Sequence, residues 1–157
     1  MTKFQLNVFF KAAYELILVF LQFSIIALHF LQWELFPKKQ IIQVIPISYF
    51  MGILIIIIAF IIMLVAIKDL GRNLSPFPRP ITNSKLVTKG IYRFARHPMY
   101  YSLIFISFGF FITKLSIYYL CLSICLALII KLKIVLEEQH LNNKFKNYLL
   151  YKNEVKY

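Results

Sequence analysis

Two short stretches hold most of the side chains able to do chemistry: residues 86–100 and residues 133–141. In the first, His97-Pro98 reads as a helix start, because proline at the first helical position loses no hydrogen bond. The free N–H groups that follow, with Arg96 beside them, suit a carboxylate or a phosphate. Tyr100 and Tyr101 fall in that first turn and could hydrogen-bond to a ligand or stack on it. The same residue types also anchor helix ends at lipid headgroups, and chemistry alone leaves both readings open. In the second stretch, Glu137 and Glu138 stand next to an apolar run. Carboxylates there are costly unless solvated or paired, and they often serve function. Lys133 lies four residues before Glu137, so a surface ion pair of roughly 0.2–0.5 kcal/mol is the plain alternative to ligand contact.

Both stretches need elements that bring them together, and the composition says what those are. Hydrophobic residues make up 61% of the 157, against about 45–50% in an ordinary soluble domain. The surplus lies in long runs, the clearest being 53–67, which no charge interrupts. Segments 12–33 and 45–67 are each long enough to cross a bilayer. The first carries Glu15 in its opening turn, with Trp33 at the far interface and Pro37-Lys38-Lys39 as the turn. Apolar character resumes after Pro98, breaks at Thr113-Lys114-Leu115-Ser116 and continues to about Val135, the pattern of a helical hairpin. The last segment, 137–157, has the spacing of an amphipathic surface helix.

The predicted fold is an all-α integral membrane protein of about four transmembrane helices, the last two a hairpin. The whole chain, 1–157, forms one domain. Between the second and third helices, residues 68–98 carry seven Lys or Arg, one Asp and four prolines. Pro76, Pro78 and Pro80 exclude a regular helix there. Four crossings place the N-terminus, this basic loop and the C-terminal tail on one side, which the positive-inside rule makes cytoplasmic. The net charge of +12 therefore reads as loop charge, not as a nucleic-acid surface. Cys121 and Cys125 share a helix face and read as small packing residues, and nothing near them supports a metal site. No protein partner is signalled.

The order and spacing of Gly71-Arg72-Asn73-Leu74-Ser75-Pro76, of Leu86-Val87-Thr88-Lys89-Gly90-Ile91-Tyr92-Arg93 and of Arg96-His97-Pro98-Met99-Tyr100 resemble the isoprenylcysteine carboxyl methyltransferase family. Related phospholipid methyltransferases share much of this pattern. Glu137-Glu138-x-x-Leu141, with Phe145, Tyr148 and Tyr151, is similar to the family's C-terminal signature, so the resemblance spans about 68–151.

The resemblance implies a multi-pass enzyme of the cell (inner) membrane that binds S-adenosylmethionine on its cytosolic side and methylates a lipophilic acceptor. Carried over, Leu86, Val87 and Tyr92 match cofactor-pocket positions. Arg96, His97, Pro98, Met99 and Tyr100 match the stretch that holds the cofactor, with Glu137 and Glu138 as its acidic partners. Lys133 stands where relatives carry an arginine for the acceptor carboxylate, so it is assigned to orienting the acceptor. A lysine keeps that charge but loses the bidentate fork. Ser102 replaces a glycine common in the family. With no dedicated base visible, O- or S-methylation is favoured over N-methylation. The rival readings are a sterol-reductase-like NADPH enzyme and a non-catalytic membrane protein whose basic loop binds anionic lipid.

Overall fold

The computed structural model describes residues 3–31 and 46–156. Five helices follow one another: α1 (Lys3–Leu28), α2 (Pro46–Leu70), α3 (Pro98–Lys114), α4 (Ile117–Lys144) and the short α5 (Tyr148–Glu154). Single 3-10 turns at Gly71–Asn73 and Gly90–Arg93 bracket the proline-rich loop. The protein is an all-α membrane protein. Along α1, α2 with the 3-10 turn that follows it, and α4, the segments Phe9–Leu28, Ile47–Asn73 and Ile117–Lys144 are apolar and long enough to cross a bilayer. α3 has 17 residues, about 25 Å, the lower limit for a crossing. Trp33, Pro37, Lys38 and Lys39 lie outside the described residues.

α2 and α3 pack closely because small residues recur where they meet. Gly52, Ala59 and Ala66 repeat every seven positions on α2, and all three are buried. A Cβ on Gly52 would run into Thr113 and come within 2.8 Å of the Gly109 carbonyl. In lipid, where apolar burial between helices gains little, such close backbone approach is what holds helices together. α1 packs on α4 in the opposite direction. Tyr118 donates to the Leu28 carbonyl at 2.8 Å, and His29 Nε2 lies 2.7 Å from Ser107 Oγ, which in turn donates to Ser123 at 2.9 Å. The outward faces stay apolar and exposed, as in Phe20 and Phe50. Exposed large hydrophobics on a helix all round are what a lipid solvent permits.

Three sequence expectations are corrected. The first helix begins at Lys3, so Glu15 sits in its interior, not its first turn, and is buried. α4 does not stop near Val135. No glycine or proline interrupts 117–144, and the helix runs on to Lys144, carrying Glu137 and Glu138 within it. The amphipathic tail is thereby reduced to α5. Cys121 and Cys125 do share a face, but it is the exposed one, so they do not pack inside the bundle. The hairpin break is as expected, with Leu115 in the left-handed region at φ 45°.

The loop is tied down by side chains in place of a backbone ladder. Asn73 pairs with both the N–H and the carbonyl of Lys85, at 3.3 and 3.0 Å. Asp69 accepts from the Ile91 N–H at 2.8 Å. Gly90 makes that possible: its φ is +63°, and a Cβ there would collide with the Asp69 carboxylate. Gly90→Ala should therefore destabilise the protein by about 2 kcal/mol, from left-handed strain plus the displaced Asp69 bond. Thermal unfolding in detergent checks this, and an unchanged transition would show that the turn is not under that constraint.

Candidate functional site

The loop, the start of α3, the last turns of α4 and α5 meet at one end of the bundle and enclose a cleft. Helix register explains how. α2 and α3 run antiparallel and so do α3 and α4, so His97 and Glu137, 40 positions apart in sequence, return to the same end of the bundle. The adjacent carboxylates of α4 then diverge, because neighbouring residues on a helix point about 100° apart. Glu138 points toward α5: it accepts from Arg96 Nε at 3.0 Å and Lys152 Nζ at 2.6 Å, with His97 Nε2 at 3.3 Å. Arg96 continues through Nη1 to the carbonyls of Lys152 (3.4 Å) and Val155. This clasp pins the C-terminal segment over the cleft.

Glu137 points into the cleft, where it hydrogen-bonds with the Tyr100 hydroxyl. The His97 ring stacks on Tyr100, with centroids 5.8 Å apart and planes at 19°. Tyr101 N–H already reaches the His97 carbonyl at 3.1 Å. The N–H groups of Met99 and Tyr100 have no carbonyl one turn back, as at any helix start. Tyr92 and Tyr151 close the far wall: Tyr151 donates to the Tyr92 carbonyl at 2.6 Å. Burial pushes the Tyr151 hydroxyl up to about 12. Burial and the nearby Glu137 raise Tyr92 as well. Both therefore stay protonated donors at neutral pH.

Eight of the ten residues expected to meet a cofactor line the cleft: Leu86, Val87, Tyr92, Arg96, His97, Met99, Tyr100 and Glu137. Pro98 and Glu138 do not; Pro98 is buried at the helix start and Glu138 is taken up by the clasp. Lys133 is not on the lining either. Its ammonium is buried, donates to Gln22 at 2.5 Å and to the Pro76 carbonyl at 3.0 Å, and lies 5.3 Å from the Tyr100 ring centre. These contacts tie the ammonium to α1, the loop and α3. Sequence reasoning did not single out Phe77 and Arg79, and it quoted Asn73 and Ser75 in a motif without a role; all four come from the loop's first part. It quoted Tyr148 but gave it no role. No periodic signal marks such positions; only the loop's path places them.

A family profile of phospholipid methyltransferases matches residues 47–148. The chain belongs to that family. No curated protein and no solved structure matches it. The isoprenylcysteine carboxyl methyltransferases that its motifs resemble are relatives of the family. In this membrane methyltransferase the match takes in α2, α3, α4 and the whole loop, hence nearly all of the cleft, and leaves α1 outside.

The clasp gives a direct expectation. Glu138→Gln should leave Arg96 and Lys152 without their anion and cost about 2 kcal/mol. It should also make the tail after Lys144 the first site cut in limited proteolysis. A tail as resistant as in the unaltered protein would mean that Glu138 does not hold it.

Proposed function

We propose that the protein transfers a methyl group from S-adenosylmethionine to a phospholipid headgroup, with the cleft as cofactor site on the cytosolic face. The observation that carries this reading is the cleft wall itself, which combines a carboxylate, several protonated tyrosines, a helix start and apolar side chains. Its chemistry fits the cofactor. Tyr148 adds to the donor set: it is 1% exposed and lines the cleft, with Glu138 near its hydroxyl.

When bound, the cofactor supplies an electrophilic methyl on a sulfonium. The chain's part is to bind, orient and exclude water. The start of α3, with His97, receives the cofactor's carboxylate. Glu137 faces its cationic groups, and Leu86 and Val87 pack against its apolar surface. The cleft is narrow, with a cavity of about 90 Å³ within roughly 770 Å³ of unfilled space counting its open mouth. So narrow a cleft holds the reactants in one orientation and leaves little room for water. Proximity and orientation of that kind can supply up to roughly 7–11 kcal/mol of a barrier.

The geometry of Lys133 turns the choice of acceptor. An acceptor carboxylate was assigned to this cation, two of whose three donors are engaged by Gln22 and the Pro76 carbonyl and which does not line the cleft. An amine headgroup instead needs a proton acceptor, and Glu137 is the only carboxylate among the cleft-lining residues. Transfer then forms the nitrogen–methyl bond, breaks the sulfur–methyl bond, and passes one ammonium proton to the carboxylate or to water.

Calorimetry with S-adenosylhomocysteine tests the site. His97→Ala and Glu137→Ala should each weaken binding by about 1.5–3 kcal/mol, whereas Glu154→Ala, on the exposed tail, should change it little. Near-normal binding in both would remove the cleft from consideration. With methyl-labelled cofactor and phospholipid vesicles, mild base should leave the label on the water-soluble headgroup. Release as methanol would mean that an ester had been made.

Orientation has its own test. On a background without Cys121 and Cys125, a cysteine at Lys114 should react with impermeant reagents from outside the cell, and one at Ser84 should not. The reverse pattern would put the cleft outside the cell.

A further inference from the structure

α1 lies outside the family match, yet it supplies two buried side chains that grip the cleft wall. Glu15 is 4% exposed and meets Arg79 Nε at 2.7 Å and His140 Nε2 at 2.9 Å. Two turns further along the same face, Gln22 accepts from Lys133, whose ammonium also holds the Pro76 carbonyl at 3.0 Å. The segment 75–79 is thus stapled to the bundle near each end. It forms a single layer: Ser75, Phe77 and Arg79 line the cleft on one side and a groove against α1 on the other. With Pro76 and Pro78 inside it, the segment has no helical or sheet ladder to fix its path. Its position depends on these side chains.

We infer that α1 is a positioning element of the methyl-transfer site, acting through Glu15 and Gln22 to hold residues 75–79 against the cofactor. The inference rests on the cofactor reading given above. Neither Glu15 nor Gln22 lines the cleft, so each reaches the ligand only through the wall. The carboxylate of Glu15 is buried beside two partners, which makes its removal felt. Breaking one side of a buried pair leaves the other side uncompensated.

The test uses the full chain in lipid nanodiscs and calorimetry with S-adenosylhomocysteine. Glu15→Gln and Arg79→Gln should each weaken binding by about tenfold, and the double variant by no more than either alone, because both break one staple. Arg79→Lys should recover affinity to within about threefold, since the charge returns on a half-exposed side chain. Gln22→Ala, which opens the second staple, should weaken binding several-fold and carries the test if Glu15→Gln does not fold. Losses that simply add in the double variant would overturn the proposal, as would unchanged affinity in Glu15→Gln or Gln22→Ala. In both cases the cofactor reading would stand, because the unaltered protein binds. Absence of binding in the unaltered protein would overturn that reading and this one together.

Discussion

A lysine ammonium buried at the end of a helix bundle must be met by oxygen or π density on every side, and Lys133 meets that demand by joining four parts of the chain. Its side chain leaves α4, reaches Gln22 on α1 and the Pro76 carbonyl in the loop, and lies over the Tyr100 ring of α3. An unpaired ammonium in hydrocarbon costs several kcal/mol. Lys133 therefore fixes the loop by needing it. A neutral side chain in its place would remove that cost and also the reason for the loop to lie where it does.

The other charges at this end obey the same rule. Glu15 is paired with Arg79 and His140, Glu138 with Arg96 and Lys152, and Lys144 with loop oxygens at Thr82 and Ser84. Arg79, Arg96 and Lys144 each join a helix to the loop, and His140 and Lys152 join helix to helix. A bilayer allows irregular backbone only where it is buried in protein or wetted, and here the half-exposed Arg79 and the exposed Lys144 contacts keep the loop at the wetted end of the bundle. Glu137 stands apart from these pins. It bonds to Tyr100 and faces the cleft, so the only lining carboxylate is one that no cation in the bundle has claimed through an ion pair among the described residues.

Much of this was legible in the sequence, and the parts that were not share a cause. The helices came through because apolar runs have a length set by the bilayer. The hairpin break came through because Thr113-Lys114-Leu115-Ser116 interrupts one. His97-Pro98 marked its helix start by proline chemistry alone. The placements of Lys133 and Glu138, off the cleft lining beside Glu137, did not come through. Within one turn of one helix, a side chain points at a strut, a cleft or a clasp according to angle, and a motif carries no angle. Cys121 and Cys125 failed for the same reason: their spacing gave a shared face but not which face. The continuation of α4 was obscured by charge, since Glu137 and Glu138 look like an end when hydropathy alone is followed.

The lengths of α3 and α4 connect these points. α3 spans about 25 Å and α4, with 28 residues, about 42 Å. Joined by a tight break, the two start level at one end, so α4 must project past the start of α3 at the other. Glu137 and His140 sit on that projecting length, and Lys133 is level with the start of α3. They are placed beside loop and water, not lipid, without any bend in the helix. The overhang converts a simple hairpin into a three-sided frame, with α3's first turn as floor, α4 as one wall and the loop as the other. A longer α3 would bury its first turn against α4 and leave no floor, and a shorter α4 would remove Glu137 from the wall. The cleft is in this sense a consequence of two unequal helices, and the paired charges are what keep its open side covered.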